Sequence, residues 1–158
     1  MKMNELFNTP FETALRMLLL LETEPRTDLT INMIAALDFA ALYGKSFEFS
    51  DENLHGDNLF KFSEFATRKE LAREGLKYLV QRGLIDVCAT KSGFIYKISF
   101  EGKKFSKKLD TKYAQDYRGQ IRLALMHFSN DSEQGILNKI NKLAVASLER
   151  EEAAFHEE

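Results

Sequence analysis

Residues 67–100 read TRKELAREGLKYLVQRGLIDVCATKSGFIYKISF, and this stretch decides the fold. Thr67-Arg68-Lys69-Glu70 has the form of a capping box, in which a hydroxyl and a carboxylate satisfy orphan amides reciprocally. Leu71, Ala72, Gly75, Leu76, Leu79 and Val80 then recur at helical spacing, which predicts a helix over 67–81 with one buried face. Gly83 stands where a left-handed residue ends a helix at least cost, and Leu84 can fold back as its hydrophobic contact. Beyond it the period changes. Ile85, Val87 and Ala89 alternate with Asp86 and Cys88, and Phe94, Tyr96 and Ile98 alternate with Ile95, Lys97 and Ser99. Two period-two runs around Lys91-Ser92-Gly93 predict a β-hairpin. A helix followed by a hairpin is the second half of a winged helix-turn-helix.

Upstream, Thr9-Pro10-Phe11-Glu12 is a second capping box, with proline at the first helical position. The helix it opens runs to about Leu21. Its stripe is Phe11, Ala14, Leu15, Leu18 and Leu19, and Leu20 and Leu21 widen that stripe as in a central helix covered on several sides. A turn around Pro25 follows. Asp28 is the expected N-cap of a helix over 29–43, with Ile31, Ile34, Leu37 and Ala41 inward and Gly44 as its stop. Residues 45–66 carry Phe47, Phe49, Phe60, Phe62 and Phe65 among polar residues, more aromatic surface than a solvated linker carries. They read as an ordered insert loop that wraps the core or presents a binding surface.

Downstream, Glu101-Gly102 is expected to turn the chain into a short helix over 103–109. Phe105 and Leu109 would face inward, and Lys103, Lys104, Lys107 and Lys108 outward. Thr111 is the expected cap of a helix over 112–128 with the stripe Tyr113, Tyr117, Ile121, Leu125 and Phe128. A last amphipathic helix runs to about Ala154, with Ile136, Leu137, Ile140, Leu143, Ala144 and Leu148 on its apolar face. It either covers the chain's own core or binds another chain. The fold class is therefore mostly α with a small β-hairpin: a winged helix-turn-helix core plus additional C-terminal helices. Its domain reading is a winged-helix domain over 1–129, including the insert loop at about 45–66, and a C-terminal amphipathic helix over 130–158.

A chain of 158 residues with 44% apolar and 29% charged side chains is ordinary for one globular domain. Its single cysteine, Cys88, excludes an intramolecular disulfide and reads as a small strand hydrophobe. The longest apolar run, Met17 to Leu21, is too short to span a bilayer, and no secretory pattern opens the chain, so a cytoplasmic location is expected. The net charge of −2 conceals an asymmetry: residues 1–60 carry net −6, residues 61–125 net +8 and residues 126–158 net −4. A basic middle between acidic flanks points to nucleic acid, an acidic partner or internal attraction.

The search for bond-making chemistry is nearly empty. His55, His127 and His156 have no metal-ligand spacing and no cysteine partner. His55, in a loop, reads as a structural hydrogen-bonding residue. No nucleophile, base and stabiliser assemble into a set. The expectation is a protein that is not an enzyme and needs no cofactor, metal or small-molecule substrate. DNA binding is the obvious use of a winged helix. Yet the outward strip of the 67–81 helix carries Glu70, Glu74, Lys77 and Gln81, and two glutamates oppose the phosphates of a major groove. Arg73 and Lys69 lie on one flank of that strip, with Arg68 and Arg82 nearer the other. The candidate phosphate contacts are Lys91 and Lys97 on the wing with Lys103, Lys104, Lys107 and Lys108, which can touch a backbone without reading bases. The candidate protein-interface residues are Phe47, Phe49, Phe60 and Phe62 of the insert loop with Ile136, Ile140 and Leu143 of the last helix.

One further pattern spans the chain. Asn8-Thr9-Pro10-Phe11-Glu12 with Leu15-Arg16 and a leucine run is followed by Ala36-Leu37-Asp38-Phe39 and Leu54-His55. Then come Arg68-Lys69-Glu70-Leu71, Gly75-Leu76, Arg82-Gly83-Leu84-Ile85, a wing ending in a tyrosine strand, and Gly102 with Tyr113. In order and spacing this set resembles the middle component of ABC-three-component systems, including the accessory subunit of Lamassu-type bacterial anti-phage defence. The resemblance covers roughly residues 6–128. The chain departs from it in lacking a Gly-Gly-Pro-type segment before Leu54-His55, and residues 130–158 read as particular to a subgroup. The resemblance implies a non-catalytic winged-helix subunit that joins or regulates an SMC-like ABC ATPase and a nuclease-type effector, with DNA reached through the complex and no membrane. The alternative is a winged-helix DNA-binding transcription regulator dimerising through its last two helices.

Overall fold

The structure, a computed structural model, describes residues 10–24, 26, 28–54 and 65–156. Among the described residues there are six helices and three strands. These are α1 (Pro10–Thr23), β1 (Leu29–Thr30), α2 (Ile31–Leu42), α3 (Phe65–Gln81), β2 (Ile85–Thr90), β3 (Gly93–Ile98), α4 (Phe100–Ser106), α5 (Lys112–His127) and α6 (Glu133–His156). The molecule is mostly α with a small antiparallel sheet of order β1-β3-β2. The insert-loop residues His55, Phe60 and Phe62, the Thr9 cap and the lead-in over 1–8 lie outside the described residues.

The core is built from α1 and α2, whose apolar surface extends well beyond one stripe. Met17, Leu18, Leu20, Ile34, Leu37, Phe39 and Leu42 are all fully buried. Ala72, Leu76 and Leu79 of α3 close one side, and Tyr117, Ile121 and Ala124 of α5 another. A helix that is apolar nearly all round must be covered on several sides, and α5 supplies cover that three helices and a hairpin alone do not. The first half of α6 lies against α2 through Ile136 and Ile140, both buried.

Four local expectations are corrected. The second helix is capped by Thr30, whose hydroxyl accepts from the Met33 amide at 3.3 Å, and not by Asp28. Residues 29–30 form β1 instead, pairing Leu29 with Tyr96 and Thr30 with Ile95. The third helix begins at Phe65, so Thr67 lies inside it and not at its cap. The reason is tertiary: the Phe65 ring packs 5.2 Å from Phe39, which draws the helix start back onto the core. Finally, Glu101-Gly102 does not turn the chain but lies within α4, which Ser99 caps by accepting from the Gly102 amide at 3.0 Å.

The hairpin is present, with Ile85 opposite Ile98 through to Thr90 opposite Gly93. Gly83 has φ 72°, the left-handed C′ conformation expected of it. The alternation, however, does not correspond to burial along the whole hairpin. Ile85 is buried, but Val87, Ala89 and Phe94 on the same face are exposed, because the hairpin projects past the helices that cover its base. Cys88 is likewise exposed.

Candidate functional site

The lysine-bearing surface is set by how α4 is seated. A Cβ added to Gly102 would overlap the Leu84 carbonyl oxygen and come within 2.8 Å of Ile98, so only glycine permits this approach. Gly102 and Ser106 are the buried residues of α4, four apart, and they fix its inward side. Phe105, expected inward, is therefore exposed, while Leu109 beyond the helix does pack against the core. Ser99 ties the start of α4 to the end of α3 by donating to the Gly83 carbonyl at 2.7 Å. Arg118 of α5 holds the other end, donating to the Ser106 and Leu109 carbonyls at 2.6 Å each and pairing with Glu22 at 3.2 Å. A cation at these carbonyls also suits the helix dipole. Nothing in the sequence pattern singles out Arg118.

All six candidate lysines are exposed. Lys97 and Lys103 come together on one groove of about 430 Å³, lined also by Glu22, Glu24, Arg26, Asp86 and Phe100. The acids there are partly engaged: Glu24 pairs with Arg26 at 2.8 Å, and Asp86 stands opposite Lys97 in the strand register. Lys104 lies on the outer side of α4, its Nζ 5.6 Å from the centroid of Phe100, which is 75% exposed. Lys107 and Lys108 follow the helix end, and Lys91 sits at the hairpin turn. The result is a surface of mixed character, positive on α4 and the hairpin and interrupted by carboxylates at the groove.

On α3, Glu70, Glu74, Lys77 and Gln81 are exposed, as the helical wheel requires, and Glu70 is ion-paired with Arg73. Arg68, placed by sequence toward an outer flank, is buried instead and donates to the Tyr43 hydroxyl at 2.8 Å. The backward extension of α3 onto Phe39 accounts for this, since it turns the first helical turn toward the core.

The candidate interface residues divide. Phe47 is buried, its ring 6.3 Å from Phe39 and 5.7 Å from Phe128, so it covers this chain's own core. Ile136 and Ile140 are buried in the same way. Phe49 is half-buried, 5.4 Å from His127, and Leu143 is half-buried at the core's margin. Beyond Leu143, Val145 and Leu148 of α6 are exposed, as are Leu123 and Met126 of α5.

A buried polar network that no spacing motif announces holds α5 to the rest. Arg16 meets Asp38 through Nε at 3.0 Å and through a second nitrogen at 3.3 Å, and the Tyr117 hydroxyl donates to Asp38 at 2.6 Å. Arg16 and Asp38 are 2% and 3% exposed. Burial by itself pushes the Asp38 carboxyl up, but the Arg16 charge and the hydrogen bonds from Arg16 and Tyr117 outweigh it and hold it below the ordinary value. Burial lowers Arg16, and Asp38 more than reverses that. Tyr117 is pushed well up, by burial first and then by the Asp38 charge. The sequence does carry a signal for this network: Arg16 and Asp38 are single charges inside apolar helical runs.

Among the described residues, no group of three or more histidine, cysteine or acidic side chains is placed to hold a metal, and no helix is long and apolar enough to cross a membrane. A family model described as ABC-three component (ABC-3C) system Middle Component 2 matches residues 6–150. The match extends through most of α6, so residues 130–150 lie within the family pattern although the sequence reading sets 130–158 apart as a departure from it. Neither a curated protein nor a solved structure matches the chain. With a match over nearly its whole length, the chain belongs to the Middle Component 2 family of ABC-three-component systems, as an accessory subunit of such a system.

Proposed function

We propose that this chain is the non-catalytic, winged-helix accessory subunit of a bacterial anti-phage defence complex of Lamassu type. It joins or regulates an SMC-like ABC ATPase and a nuclease-type effector in the cytoplasm. The observation that carries this reading is the family match over residues 6–150. The order helix, strand, helix, helix, hairpin supports the winged-helix assignment. Partner contact falls to apolar groups that are half-buried or exposed: Phe49 and Leu143 at the core margin, with Val145 and Leu148 farther along α6. Phe60 and Phe62, which lie outside the described residues, are proposed as further partner contacts. Lys91, Lys97, Lys103, Lys104, Lys107 and Lys108 contribute phosphate contacts once DNA is held by the complex.

The test is co-purification of the tagged chain with the products of its neighbouring genes, where an SMC-like ATPase and an effector are expected. Both are expected to be retained, and Phe60→Asp is expected to weaken retention. Failure to retain either neighbour would end this reading.

A second reading, a DNA-binding transcription regulator, is favoured by the six exposed lysines on and after a wing. It requires sequence-specific binding to a palindromic site by the purified chain alone. The Glu70 and Glu74 carboxylates on the outward strip of α3 oppose it.

A further inference from the structure

Among the described residues, the outer edge of β2 is open. In the order β1-β3-β2, the central strand is paired on both sides, and no described strand pairs with the far side of β2. The Ser99 amide donates to the Leu84 carbonyl at 3.1 Å. With the observed register, this turns the backbone N–H and C=O groups of Asp86, Cys88 and Thr90 toward β3. Those of Val87 and Ala89 therefore point to the free edge, and those of Ile85 lie on the same side at its covered base.

Native sheets guard such edges with lysine, proline or a bulge. β2 has none of these: its sequence is IDVCAT and its register is unbroken. One face carries Val87 and Ala89 beside Tyr96 and Phe94, with Val87 42% and Phe94 60% exposed. The other face carries Asp86, Cys88 and Thr90 beside Lys97, Ile95 and Gly93. The base is closed, since Ile85 is 2% exposed. The reachable strip is therefore 86–90, and its midpoint is Cys88.

We propose that a second copy of this chain pairs on this edge, β2 against β2, antiparallel about a two-fold axis at Cys88. A two-fold axis normal to the sheet keeps each face on its own side, so opposed residues must share a face. Centring on Val87 would place Ala89 against Ile85 of the second copy, at its closed base. Centring on Cys88 avoids this. Val87 then exchanges both backbone bonds with Ala89 of the second copy, and each apolar row continues across the axis: Tyr96, Val87, then Ala89 and Phe94 of the second copy. On the opposite face the two Cys88 residues face each other. Asp86 meets Thr90 of the second copy, with that copy's Lys91 next to it, so no like charges oppose. Pairing over so short a strip is weak by area and suits chains already concentrated within an assembly.

The test uses the whole chain and its single cysteine. Directly opposed residues of a non-hydrogen-bonded pair have Cα atoms about 4.5 Å apart, within disulfide range. Diamide, taking two electrons and two protons from the two thiols, is expected to give a disulfide-linked dimer through Cys88. The reaction should run roughly ten-fold faster than for the double variant Cys88→Ser with Ser92→Cys, whose thiol sits at the wing tip. Sedimentation of the reduced chain should show a concentration-dependent dimer. Val87→Pro removes an outward amide that the hairpin ladder does not use, and should abolish both signals. Ala89→Lys should do the same by guarding the edge, and provides the answer if the proline variant does not fold. A monomer at every concentration, with Cys88 cross-linking no faster than the wing-tip thiol of the double variant, would overturn the proposal. So would cross-linking of Cys88 only to a different protein of the complex, which would assign the edge to that protein's strand.

Discussion

Asp38 makes the largest single demand on this core. It is a carboxylate with almost no exposure, held charged by Arg16 and Tyr117. Removing one partner of such a pair strands the other charge, so Asp38→Asn is expected to cost about 3–5 kcal/mol, read from the urea midpoint. Replacing both partners, Arg16→Met with Asp38→Leu, should recover most of that loss. The pH dependence follows from the directions of the shifts. Asp38 is lowered on folding, so its contribution is present above the ordinary carboxylate value of 3.8 and is lost as pH falls from there through its lower folded value. Tyr117 is raised, so its contribution is full below the ordinary 10.0 and is lost as pH climbs through its higher folded value. Asp38→Asn should flatten the acid limb of a stability–pH curve, and Tyr117→Phe the alkaline limb. Gly102 imposes a different constraint. Alanine there would drive a methyl into the Leu84 carbonyl, so Gly102→Ala must displace α4. A cost of about 1–3 kcal/mol is expected in thermal unfolding, the range for overpacking.

At the scale of elements, α6 is buried at its start and carries exposed apolar groups farther along. Its start is tied to the sheet by the Thr30 hydroxyl, which donates to Glu133 at 2.8 Å, and its Ile136 and Ile140 are buried. Past Leu143 the same helix presents Val145 and Leu148 to solvent. Ile140→Ala is therefore expected to cost about 2–5 kcal/mol in denaturant unfolding. Val145→Asp should leave stability within about 0.5 kcal/mol while weakening retention of the ATPase or effector in co-purification. The two substitutions separate the packing of α6 from the docking proposed for it. The α4 helix is too short to persist by propensity, and depends on Ser99 at one end and Arg118 at the other.

At the scale of the whole molecule, charge is segregated although the net is only −2. Non-specific DNA binding by the assembled complex should fall steeply with salt if the hairpin and α4 lysines meet phosphates. Lys103→Glu with Lys104→Glu should then reduce both affinity and the salt slope, measured by filter binding or anisotropy. An unchanged slope would remove these lysines from the DNA surface.

The helices and hairpin are legible in the sequence, because 3.6- and 2-residue periods are local and each of these elements is long enough to show one. The stripe Tyr117, Ile121, Phe128 and the run Met17 to Leu21 read as core and are core. What the sequence alone could not decide depends on neighbours far along the chain. A two-residue strand such as β1 has no period and exists only by pairing with β3. Phe39 draws α3 back past the Thr67 capping signal. Gly102 has the look of a turn residue, and only the Leu84 carbonyl explains why it must be small. Phe47 reads equally well as an interface anchor or a core ring until the positions of Phe39 and Phe128 are known. Residue chemistry and spacing determined which elements form. Tertiary structure decided where they start, which way they face and which groups stay open, because burial is a relation between distant segments and no single segment encodes it.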